Sequence, residues 1–159
     1  MGVLFLCDTA EYSCAYGSWN IVRMGLLNAS FIYLENKLRL HDIGDNSGNL
    51  LWPNDYSAIQ KFLNKKEKMK DVDIFIEIVE SHGHSMINMF IQFGIGGLWT
   101  VMNKQDDTGY YSPGNSLDIL ILFKKVEPFV ENKNVKERIN GMTKLFGHSV
   151  ASRRCITIM

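Results

Sequence analysis

The stretch Val72-Asp73-Ile74-Phe75-Ile76-Glu77-Ile78-Val79 reads as the best strand in this chain. Val72, Ile74, Ile76 and Ile78 alternate with Asp73, Phe75, Glu77 and Val79, and β-branched residues suit a pleated, half-buried surface. The alternation predicts the central strand of a sheet. Val3–Cys7 lies in a short apolar run fit for a neighbouring buried strand. Cys155–Met159 is expected to close the sheet as a short strand at its edge.

Outside these segments the period changes to three and four. Trp19, Val22, Leu26, Ala29 and Tyr33 recur at helical spacing after Ser18, a residue able to cap free N–H groups. That helix is expected to end near Leu38–Arg39, before the loop Gly44–Asn49. Asp8–Gly17, polar and turn-rich, is expected to be a loop. Trp52-Pro53-Asn54-Asp55 opens a second helix with Tyr56, Ile59, Phe62 and Leu63 on its apolar face. Ser85 is expected to cap an apolar helix from Met86 towards Phe93, which Gly94-Ile95-Gly96-Gly97 breaks before Leu98–Met102. Gly109–Asn115 is expected to be a loop. Ser116 is placed to cap Leu117–Val126, stopped by Pro128, and Val135–Phe146 forms a last helix ended by Gly147.

These elements predict an α+β protein, with four or five helices packed on a small, mostly antiparallel sheet. The 159 residues show no repeat and no linker, so residues 1–159 are expected to form a single domain. The balance of charges is neutral, with 17 Lys+Arg against 17 Asp+Glu. Such a chain is a poor binder of phosphate backbones, and no nucleic-acid partner is expected. No apolar run approaches the ~18 residues of a membrane span. The nearest, Met86–Met102, is interrupted by Asn88, Gln92, Thr100 and three glycines. Cys7, Cys14 and Cys155 are an odd number without a Cys-x-x-Cys pair, which favours a reducing, cytoplasmic setting.

The sharpest chemical cluster is His82-Gly83-His84, just beyond the expected central strand. Two imidazoles two positions apart can face one metal ion, and Asp106, Asp107, His41 or His148 would have to complete the set. This arrangement supports one alternative function, a small metal-dependent hydrolase using His82 and His84. Its bland counterpart is a pair of turn residues flanking a glycine. Gly94–Gly97 lacks both the third glycine of a dinucleotide fingerprint and the Lys-Ser/Thr of a P-loop. Close helix packing accounts for it better, although a small-ligand pocket beside Gly94–Trp99 is a third possibility. Cys14 with His82 or His84 would imitate a thiol–imidazole pair. Five lysines at positions 61, 65, 66, 68 and 70 form the one basic concentration, expected to be a solvated surface.

Aromatic and acidic residues gather in the expected loops: Trp52, Asp106, Asp107, Tyr110 and Tyr111. Rings of this kind bury area at low entropic cost, as protein-binding surfaces require. With no catalytic motif and no cofactor implied, the first expectation is a non-enzymatic binding or inhibitory protein using those five residues.

Three segments carry a family resemblance. They are Tyr16-Gly17-Ser18-Trp19-Asn20-Ile21-Val22-Arg23; Leu98–Met102 with Gln105-Asp106-Asp107-Thr108-Gly109 and Tyr111-Ser112-Pro113; and Val135–Phe146 with Cys155–Met159. Together they resemble a group of small bacterial and phage proteins, some of them immunity-like. The usual His-Ser before the turn's Asp is Lys104-Gln105 here, and the second Asp is Thr108. The resemblance therefore implies architecture and an inhibitory or immunity-like role against a toxin or host factor. It implies no catalytic residues.

Overall fold

The computed structural model describes residues 2–42, 53–103 and 109–159, with the backbone alone at positions 16 and 53–55. In chain order these form β1 (Gly2–Cys7), β2 (Ala10–Ala15), α1 (Tyr16–Asp42), α2 (Pro53–Leu63) and α3 (Val72–Ser81). There follow α4 (His84–Gln92), α5 (Gly97–Met102), β3 (Gly109–Tyr111), α6 (Pro113–Val126), α7 (Lys133–Ser152) and β4 (Ile156–Ile158). The α+β class holds, with seven α-helices among the described residues and one antiparallel sheet in the order β2-β1-β4-β3.

The expected central strand is a helix. Asp71 caps α3, its Oδ1 accepting the Ile74 N–H at 2.9 Å. Phe75 and Val79 are buried one turn apart, with Val72 and Ile76 half-buried beside them, while Asp73, Glu77 and Glu80 face outward. Strict alternation and a helical stripe coincide in so short an apolar run, and the cap together with acids four apart settles it as a helix.

The sheet is instead assembled from the two ends of the described chain together with Gly109–Tyr111. β1 is interior, paired on one side with β2 and on the other with β4. β4 is not an edge either, because β3 pairs along its far side. The segment after Cys7, expected to be a loop, returns at once as β2. Only Asp8 and Thr9 separate the closing pair Cys7–Ala10, and Asp8 takes a left-handed φ of 53°, a conformation that Asp tolerates better than most residues.

α1 runs through the middle of the molecule, its 27 residues spanning roughly 40 Å at 1.5 Å per residue. Trp19, Val22, Leu26, Leu27, Ala29, Phe31, Tyr33 and Leu34 are all buried, covering far more than one stripe. A helix apolar on so many sides must be covered on several faces. One side of α1 meets the sheet, where the Phe5 and Trp19 rings lie edge to face at 5.1 Å. Another meets α2 and α4, where Phe31 stacks on Phe62 at 4.9 Å and Phe62 meets Phe90 at 5.0 Å. Arg23, 2% exposed, lies over the Trp19 ring at 5.5 Å and donates to Asn20 Oδ1.

The remaining boundaries differ by small, specific causes. Ser112, not Ser116, caps α6: it accepts the Asn115 N–H at 3.0 Å, the Asn115 side chain answers in a capping box, and Pro113 occupies the first turn. Ser116 is buried and donates to Ser149 Oγ at 3.0 Å, which in turn donates to the Arg154 carbonyl at 2.5 Å. Gly147 does not stop α7, which continues to Ser152 and ends on Arg153 at φ 57°. Gly83 at φ 59°, rather than Ser85, occupies the cap position of α4. Gly97 carries the close packing expected of its segment: a Cβ there would stand 2.4 Å from the Asp118 carbonyl oxygen.

Candidate functional site

Among the described residues, helices cover one face of the sheet only. Val3, Phe5, Cys7, Tyr111, Ile156 and Ile158 are buried on that face. Side chains alternate along each strand and paired residues share a face, so the register defines the other surface. Glu11, Leu6, Thr157 and Tyr110 form one row across all four strands. Ser13, Leu4 and Met159 form the next, because Leu4 and Met159 exchange both backbone hydrogen bonds at 2.9 Å. Ala15 and Gly2 complete it. Tyr110 is 59% exposed and Met159 53%, while Leu4 and Leu6 are half-buried. At the Gly2 corner lies a shallow depression of about 500 Å³, lined by Gly2, Val3, Leu4, Ser13, Cys14 and Ala15.

The residues expected to bind a partner divide by strand geometry. Tyr110 belongs to the open face. Tyr111, its neighbour in β3, must point the opposite way; it is fully buried with its ring against Phe146 at 5.6 Å, and it is a core residue. Trp52, Asp106 and Asp107 lie outside the described residues. Leu4, Leu6 and Met159, taken from the sequence as parts of strands, turn out to share the open face with Tyr110, which sits on the edge strand beside Thr157. A continuous apolar run such as Val3–Cys7 gives no sign that one of its faces is open.

The histidine cluster has a local explanation. His82 closes α3, with its Nδ1 2.8 Å from the Ile78 carbonyl oxygen and 3.1 Å from Ser81 Oγ. His84 is the exposed first residue of α4. Of the further ligands considered, His41 stacks on Tyr56 at 3.5 Å and His148 Nε2 lies 3.7 Å from Asp8 Oδ2. Asp106 and Asp107 are outside the described residues, and no group of three potential ligands occurs among the described ones.

Cys14 faces the helices, half-buried, beside Tyr12. Burial pushes its thiol up, and the Arg138 guanidinium opposes this only in part. Burial raises the Tyr12 hydroxyl likewise, against its hydrogen bond with Arg138. A thiol raised in this way stays protonated near neutrality, which is the reverse of what an activated nucleophile needs. Of the lysine concentration, Lys61, Lys68 and Lys70 are exposed and Lys65 and Lys66 half-buried, Lys66 pairing with Glu35 at 3.1 Å and lying over the Phe31 ring at 5.7 Å. Among the described residues no helix is long and apolar enough to cross a membrane. No protein-family model, curated protein or solved structure matches the chain.

Proposed function

We propose that this chain is a non-enzymatic protein-binding protein, inhibitory or immunity-like, that blocks a toxin or host factor by surface complementarity in the cytoplasm. One observation carries the reading: a four-stranded sheet backed by helices on one face presents Tyr110, Leu4, Leu6 and Met159 together on the other. Leu4, Leu6 and Met159 give the face an apolar middle beside Thr157, with Glu11 and Ser13 on one edge strand and Tyr110 on the other, and aliphatic and tyrosine side chains mixed with polar ones are what interfaces use. The free thiols of Cys7, Cys14 and Cys155 suit a reducing compartment. The resemblance to small immunity-like proteins supports the inhibitory role.

The test is co-expression with the product of the gene adjacent to its own, followed by gel filtration. A stoichiometric complex is expected, weakened by about tenfold or more in Tyr110→Ala and Leu4→Asp, as for buried anchor residues. His82→Ala should bind as the unaltered chain does. Failure to form a complex, or a complex indifferent to both open-face substitutions, would defeat the reading.

A further inference from the structure

We propose that β2 is a self-association edge, through which two copies of the chain pair in antiparallel fashion about a two-fold axis at Ser13. This goes beyond the binding role assigned above, because it uses the edge of the sheet rather than its open face. The direction of each backbone group follows from the register. Leu4 exchanges both of its hydrogen bonds with Met159, so its N–H and C=O point towards β4. Alternation then turns those of Val3, Phe5 and Cys7 towards β2, where they meet Cys14, Tyr12 and Ala10. Glu11 and Ser13 therefore aim both N–H and C=O outward, and Ala15 its N–H, its C=O being taken by the first intrahelical bond of α1. Among the described residues β2 pairs with β1 alone.

Natural edge strands that remain single are blunted by proline, lysine, a bulge or extreme shortness. β2 has none of these. Its six residues, Ala-Glu-Tyr-Ser-Cys-Ala, pair with β1 without interruption and carry one charge. The same six residues are complementary to themselves. Hydrogen-bond phase requires outward residues to face outward residues, which places the axis on a residue rather than between two. An axis at Glu11 sets two carboxylates against each other. An axis at Ser13 opposes Glu11 to Ala15 at both ends and Ser13 to its own copy, so that the two Ser13 residues exchange both bonds and each Ala15 N–H meets a Glu11 C=O. On the helix-covered side it sets Tyr12 beside Cys14 of the second copy. Such an isologous pairing joins the two sheets into one and closes the association at two chains. Because the strand order is β2-β1-β4-β3, Tyr110 stays at the outer margin of each half.

Light scattering on the full chain after gel filtration tests this directly. The expected mass is twice 18.2 kDa. Ser13→Pro removes one outward N–H while sparing the ladder to β1, a place where proline is tolerated. It should weaken the dimer by about tenfold or more, since two hydrogen bonds are lost at the axis, while leaving Tm unchanged at dilutions where the parent too is monomeric. Ser13→Lys puts like charges opposite each other there and should do the same, with partial recovery at high salt. An unaltered chain of single mass overturns the proposal, whether or not it accepts a foreign extended peptide at this edge. So does a dimer that withstands both substitutions.

Discussion

Gly97→Ala probes the packing of α5 on α6 through a single methyl group. The added Cβ would stand 2.4 Å from the Asp118 carbonyl oxygen, 2.7 Å from its carbon and 3.0 Å from the Ile119 Cα. Ordinary contact begins at about 3.5 Å, so the deficit is about 1 Å. All three atoms are backbone, and no rotamer change relieves them. α5 must therefore retreat, loosening buried Leu98, Val101 and Met102 from buried Ile119 and Leu122. Overpacking of this kind costs about 1–3 kcal/mol, and a backbone clash belongs at the upper end. Allowing for the better helix propensity of alanine, we expect a net loss of about 2–3 kcal/mol. For a chain of this length that lowers Tm by about 4–12 °C. Urea unfolding followed by circular dichroism measures it, with an unchanged m-value showing that the same surface is exposed. Gly147→Ala is the internal control. It lies within α7 with nothing near its would-be Cβ, and should gain about 0.5–1 kcal/mol. If Gly97→Ala came within about 0.5 kcal/mol of the parent, the size of an ordinary surface change, the argument from close approach would be refuted.

Two further expectations address other parts of the fold. Tyr33 donates to the Phe93 carbonyl oxygen at 2.7 Å, and burial raises its pKa above the ordinary 10.0. Above pH 10 the unfolded phenol ionises while the folded one stays neutral, so stability is full below pH 10 and falls as pH rises through the folded value. Tyr33→Phe should cost about 1–2 kcal/mol at neutral pH and flatten that alkaline decline, with Tyr12 and Cys14 leaving a residual slope; an unchanged decline would remove Tyr33 from the account. Asp71→Ala should lower stability by about 1 kcal/mol in the same unfolding assay by uncapping α3, whereas no loss would argue against a helix start at that position.

The sequence makes the α+β class, β1, β4 and the body of most helices legible, because long segments repeat at three and four and the terminal runs are apolar and β-branched. It misleads where short segments satisfy two patterns at once. Val72–Val79 alternates like a strand, yet its acids at Asp73 and Glu77 stand one helical turn apart behind a capping Asp71. β2 is hidden for another reason: Ala10, Tyr12 and Cys14 do alternate with Glu11 and Ser13, but the residues are small or polar and the flanking Asp8, Thr9 and Gly17 read as turn. The candidate site is legible to the extent of one residue. Tyr110 and Tyr111 look equivalent in a list of loop aromatics, and only membership of a strand sends one to water and the other to the core. Leu4 and Leu6 join Tyr110 through pairings that run from one end of the described chain to the other, which no local pattern encodes.

The position of β4 governs the order in which this molecule can be built. Phe5 pairs with Ile158, and Ile158 with Gly109, so β4 alone joins the β1–β2 hairpin to β3. Those contacts span nearly the whole described chain, and their loop-closure entropy must be met before any ladder bond forms. The helices and the hairpin are local and can assemble quickly. Completion of the sheet is therefore expected as the slow last event, with the Ser116–Ser149–Arg154 hydrogen bonds fixing the backbone that leads into β4 from the end of α7. Until β4 arrives, the inner side of β1 and the three residues of β3 stand unpaired, and that interval is when the chain is most exposed to pairing with the wrong strand.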